Sequence, residues 1–148
     1  MQGVFQADRR PIFEIVPGKS IGPLRLGMFK KEITEICEEA GLRTDLPILK
    51  GGVNLEFDET NRTVSIEVPV GFSAARLSIA GKELKSFYND EVRNLLAEII
   101  PLPEDWTEPK EFGIAIFHWE FGDPDVFSFM VFLPGYRFRS TPGNPPKT

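Results

Sequence analysis

Apolar side chains recur along this chain in two rhythms. Phe29, Ile33, Ile36, Cys37 and Ala40 return every third or fourth position, which places them on one face of a helix that Gly41 is suited to close. Tyr88, Val92, Leu95, Leu96 and Ile99 repeat the pattern in a second helix, which stops at Ile100 before Pro101. The other rhythm has period two, the mark of a half-buried strand. It runs through Val53, Leu55 and Phe57, turns over Asp58 to Arg62, and returns along Val64 to Val68. A second hairpin is expected from Gly113 to Glu120, with a turn through Phe121-Gly122-Asp123-Pro124 and a return along Val126 to Leu133. Single strands at Ile12 to Val16 and Ala74 to Ile79 precede each helix.

These elements fall into register when the chain is shifted by 59 residues. Phe29, Ile33, Ile36, Cys37 and Ala40 then meet Tyr88, Val92, Leu95, Leu96 and Ile99, Gly22 meets Gly81, and Val53, Leu55 and Phe57 meet Phe112, Ile114 and Ile116. The pattern predicts an α+β fold in which two tandem helix plus β-hairpin repeats form one antiparallel sheet with the helices on one face. One compact domain is expected over residues 1–138, duplicated internally over about 12–68 and 75–133. Residues 139–148 are rich in proline and read as a disordered tail.

A chain of 148 residues with 41% hydrophobic and 26% charged residues can bury one ordinary core. Its net charge of -5 favours a basic partner and disfavours a nucleic-acid backbone. No apolar leader and no run of about 18 apolar residues is present, so the expectation is a cytoplasmic protein without membrane contact. Cys37 is the single cysteine, which leaves no internal disulfide, and its expected role is apolar packing.

Three stretches of the chain carry residues with a chemistry of their own. Gly18-Lys19-Ser20 has the end of a phosphate-binding loop, but Phe13 occupies the position of the glycine that such a loop needs five residues earlier. His118, the only histidine, shares a strand side with Glu120, and Asp123 and Asp125 lie in the adjoining turn. One histidine with three carboxylates can hold a divalent ion, yet turns carry aspartate for conformational reasons alone. Glu38 and Glu39 belong to a solvated helix face. No catalytic residue, metal or cofactor is therefore assigned, and a His118-dependent metal-binding protein or hydrolase remains an alternative.

The stretch Leu24 to Ile33, LRLGMFKKEI, resembles the Gly-Met-x-x-x-Glu-Val/Ile helix opening of BamE/SmpA-like modules. The tandem helix-plus-sheet plan is similar to that of the β-lactamase inhibitory proteins, and several small bacterial immunity proteins share it. Phe29 stands where that opening usually carries a Ser or Thr cap, and no lipoprotein cysteine precedes it. The resemblance implies a fold and a non-catalytic, protein-binding habit, without a place in outer-membrane assembly.

The two expected hairpins differ where they face away from the helices. The first shows Asn54, Glu56 and Asp58, a solvent face; the second shows Gly113, Ala115, Phe117, Trp119 and Phe121. Between Pro101 and Asp125 lie seven carboxylates and one lysine, a local charge of -6 that leaves +1 on the rest of the chain. Aromatic anchors inside a charged rim are the composition of a protein-binding hot spot. Glu104, Asp105, Glu108, Glu120, Asp123 and Asp125 are expected to steer a partner, and Trp106, Phe117, Trp119 and Phe121 to anchor it. The expected function is an immunity-type inhibitor that neutralises a basic toxin domain. A homodimer that buries its own aromatic face is the other alternative.

Overall fold

A computed structural model describes residues 10–69, 75–84, 89–100, 112–118 and 127–136. Nine strands form among them: β1 (Ile12–Val16), β2 (Ser20–Ile21), β3 (Leu24–Arg25), β4 (Asn54–Phe57), β5 (Thr63–Pro69), β6 (Arg76–Ile79), β7 (Lys82–Glu83), β8 (Ile114–His118) and β9 (Phe127–Phe132). Two α-helices, α1 (Lys30–Glu39) and α2 (Asn89–Leu96), and a 3-10 turn at Ile48–Lys50 complete them. The strands make two sheets, ordered β3-β2-β1-β6-β7 and β4-β5-β9-β8.

This arrangement corrects the expected fold class. Two tandem helix-hairpin repeats on one antiparallel sheet would place each leading strand beside its own hairpin. Instead β1 and β6 pair with each other, in parallel, with Ile12 opposite Arg76 and Glu14 opposite Ser78. Their pairing, extended by the short strands β2, β3 and β7, makes a sheet separate from the one that holds both hairpins. Glu14 secures that pairing: its carboxylate accepts the Ser78 hydroxyl and, at 3.0 Å, the Gly81 N–H in the turn between β6 and β7. Arg76 adds an ion pair to Glu83 at 3.0 Å.

One apolar core joins the two sheets and both helices. Phe13, Ile15, Ile21 and Leu24 enter it from the five-stranded sheet, and Ile66, Val68, Ile114, Ile116, Phe129 and Val131 from the four-stranded sheet. Ile33 and Cys37 of α1 and Val92, Leu95 and Leu96 of α2 are buried in it, the centres of the faces that the helical periodicity marks, whereas Phe29, Ala40 and Ile99 at the ends of those faces are exposed. Leu55 and Ile114 both face this core, although Leu55 is only half-buried.

Two backbone junctions tie the sheets together. At the first, the Gly113 carbonyl accepts the N–H of Gly18, in the turn after β1, and that of Phe132 in β9, each at 3.0 Å. At the second, Gly27 N–H donates to the Thr63 carbonyl and Thr63 N–H to the Met28 carbonyl, both at 2.8 Å. The Thr63 hydroxyl also reaches the Met28 carbonyl at 2.9 Å, and Lys30 N–H meets the Asn61 carbonyl at 2.8 Å. These bonds hold the start of α1 against the start of β5, where the Arg62 guanidinium lies 4.5 Å from the centroid of the Phe29 ring.

The turn between β4 and β5 is built on Asp58. Its Oδ1 accepts from Thr60 N–H at 2.9 Å, Thr60 Oγ1 at 2.7 Å and Arg62 N–H at 3.0 Å, a side-chain mimic of a backbone turn. The Thr60 hydroxyl first, and then the Arg62 amide, hold the Asp58 carboxyl below the usual carboxylate range. Because the folded value is depressed, this stabilisation is present above the ordinary value and is lost as pH falls through the depressed one. Asp58→Ala is expected to raise hydrogen exchange at the Thr60 and Arg62 amides while the amides of β9 stay protected; uniform exchange across both strands would show that Asp58 does not set the turn.

Candidate functional site

Strand alternation gives the four-stranded sheet an outward face opposite its core face. On β4 and β5 that face carries Asn54, Glu56, Ser65 and Glu67; on β8 and β9 it carries Ala115, Phe117, Ser128, Met130 and Phe132. The apolar half is a second cluster in which Ala115, Met130 and Phe132 are buried, with Phe117 and Tyr136 packed against them. The rings of Tyr136 and Phe132 lie 5.5 Å apart, tilted by 37°.

On the polar half the β5 residues are also buried, which period-two reasoning did not anticipate, while Asn54 on β4 is exposed and Glu56 half-buried. Ser65 is 1% exposed, Glu67 6% and Ser128 0%. The pairing explains why: Ser65 stands opposite Phe132, and Glu67 opposite Met130, so the polar residues of β5 share the cover of their apolar neighbours on β9. Glu67 Oε2 accepts the Ser128 hydroxyl at 2.5 Å, and the Asn54 side chain supplies a further bond. Glu56 Oε1 accepts the Ser65 hydroxyl at 3.2 Å and the Tyr136 hydroxyl. Among the described residues, no buried side-chain nitrogen or oxygen lacks a partner.

Burial pushes the Glu67 carboxyl above its ordinary value; the hydroxyl of Ser128 and the Asn54 amide oppose this, and the charge of Glu56 adds to it. A raised folded value means that the native state keeps a proton which the unfolded chain has released. The stabilisation linked to Glu67 is thus full below the ordinary glutamate value near 4.5 and is lost as pH rises through the raised one. Glu67 is the residue that sequence reading missed, and Glu56 was assigned there to a solvent face. The available signal was the apolar outward row of Met130 and Phe132 on the strand that pairs with β5.

Of the residues expected to bind a partner, the structure places Phe117 half-buried at the rim of the apolar cluster. Glu104, Asp105, Trp106, Glu108, Trp119, Glu120, Phe121, Asp123 and Asp125 lie outside the described residues, as does the tail 139–148. His118 ends β8, opposite Phe127. Among the described residues, no group of three His, Cys, Asp or Glu side chains is placed to hold a metal ion, and no helix is long and apolar enough to cross a membrane. Cys37 is 1% exposed, and burial pushes its thiol up to about 11, so it stays protonated at neutral pH. Gly18 and Lys19 lie in the turn between β1 and β2 and Ser20 begins β2; the Gly18 N–H is bound to the Gly113 carbonyl and the Lys19 N–H to the Val16 carbonyl, each at 3.0 Å. Searches against protein-family models, curated proteins and solved structures give no match to this chain.

Proposed function

We propose that this chain is a non-enzymatic protein-binding module, an immunity-type inhibitor that occludes a basic toxin domain. The observation that supports this reading is the division of one sheet face. The outward side of β4 and β5 is polar, whereas the outward side of β8 and β9 is apolar through Ala115, Met130 and Phe132, which are buried, and through the half-buried Phe117, the member of that row a partner could reach. Phe117 at the rim leads directly into Trp119 and the acidic segment, whose charge of -6 between Pro101 and Asp125 complements a basic surface. The likeness of Leu24 to Ile33 to the helix opening of BamE/SmpA-like modules points the same way.

The test is calorimetric titration of the partner captured from the native host. Trp119→Ala is expected to weaken binding by about 2 kcal/mol or more, as truncation of an aromatic anchor does. Reversing Glu104, Asp105 and Glu108 to lysine is expected to slow association and lessen its dependence on salt, with the melting temperature unchanged. A folded Trp119→Ala variant with full affinity would remove this surface from consideration.

A further inference from the structure

We propose that the corner between the start of α1 and the turn from β4 to β5 receives the acidic segment of a second copy of this chain. Phe29, Lys30, Lys31, Thr60 and Asn61 line an open cleft of about 460 Å³ there, and Arg62 stands beside it with its guanidinium over the Phe29 ring. The Lys30 ammonium rests 5.4 Å from the centroid of the Phe57 ring, and the Lys31 side chain makes no bond. Among the described residues neither ammonium enters an ion pair. No described carboxylate lines the cleft. Glu32 Oε1 is turned to the Phe29 N–H at 3.4 Å, Asp58 Oδ1 is held within its own turn, and the exposed Glu35 and Glu59 lie outside the lining.

The sequence gives up stability at this corner. Lysines occupy the first two positions of α1, where the positive end of the helix favours carboxylates, and Phe29 before them is 46% exposed. Local rules are broken in this way where a surface binds something. The frame is fixed beforehand: Lys30 N–H is bound to the Asn61 carbonyl at 2.8 Å, Phe29 and Arg62 form a β-bridge, and Asn61 takes the left-handed conformation, with φ +64°, that asparagine tolerates. Ring and cations are therefore held together without a ligand, which lowers the cost of binding one. Charge and aromatic content identify the occupant. Residues 101–125 carry -6 and set Trp106 among Glu104, Asp105 and Glu108. A ring flanked by carboxylates complements a ring flanked by cations, and every copy of the chain supplies both halves. This contact needs one protein only, so it stands apart from the toxin reading, although the two would compete for the same acidic segment.

Sedimentation velocity of the purified full chain over a concentration series, at about 20 mM and about 500 mM salt, tests it. Association is expected to grow with concentration at low salt and to vanish at high salt. Lys30→Glu with Lys31→Glu, or Glu104→Lys with Asp105→Lys and Glu108→Lys, is expected to weaken it by about tenfold or more. The first pair puts carboxylates where the helix start prefers them, so its melting temperature is expected to hold or rise and lost association is not unfolding. An equimolar mixture of the two variants is expected to associate although neither does alone, because the acidic cleft of one meets the basic segment of the other and the reverse pairing also holds. A native chain that stays monomeric at low salt, association that survives Lys30→Glu with Lys31→Glu, or a mixture that remains monomeric would each overturn the proposal.

Discussion

Gly113→Ala is expected to destabilise the protein by more than about 3 kcal/mol, and Gly18→Ala by only about 1 to 2 kcal/mol, although the two glycines touch. Gly113 has φ +81°, a conformation that side chains other than glycine adopt at a cost. A Cβ there would also lie 2.6 Å from Gly18 Cα, 2.8 Å from Gly18 N and 2.9 Å from the Phe132 carbonyl oxygen. All three are backbone atoms of Gly18 and Phe132, the two residues whose N–H groups the Gly113 carbonyl accepts, so the junction cannot yield without straining those bonds. At Gly18, φ is +69°, but a Cβ would first meet the Phe112 carbonyl oxygen at 3.5 Å, ordinary contact. Urea denaturation of the two variants checks the contrast. Equal losses would mean that backbone conformation alone, and not the closeness of the two turns, makes glycine necessary at 113.

Phe129→Ala is expected to cost about 3 to 5 kcal/mol, the range for deleting a buried aromatic ring. Phe129 is 0% exposed and stands on β9 between Val68 of β5 and Ile116 of β8. Its ring sits in the core shared by both sheets, and backbone pairing on either side limits collapse of the cavity. The neighbouring Met130→Ala faces the other way, into the small cluster with Ala115 and Phe132, and is expected to cost less, about 2 kcal/mol. The comparison uses adjacent residues of one strand, so strand propensity contributes little to the difference. A larger loss at Met130 than at Phe129 would place the protein's main core on the outward face.

The helices and the longer strands were legible because their side chains repeat. Ile33 and Cys37, and Val92, Leu95 and Leu96, are buried where a period near 3.6 puts them, and β1 has the expected limits Ile12–Val16. Sheet membership was not legible. Strands of two residues, such as Ser20–Ile21 and Lys82–Glu83, contain no period to detect. Nothing local in Ile12–Val16 states that its partner is Arg76–Ile79, because parallel pairing leaves no turn between the strands. The outward face was misjudged for a related reason. Alternation reports which residues differ from their neighbours in sequence, and Glu67 owes its burial to Met130 on another strand.

The union of β1 with β6 also orders events during synthesis. Glu14 and Ser78 are 64 residues apart, so β1, the strand made first of the two, has no parallel partner until β6 has been made. Until then β1 can pair only with β2, over Ile15 and Val16, and the backbone edge that β6 later covers is open. Closing so long a loop carries an entropic cost that local hairpins such as β4–β5 avoid. Until Arg76–Ile79 emerges, Ile12 and Phe13 lie on an edge that lacks its parallel partner, the kind of edge that invites pairing with another chain.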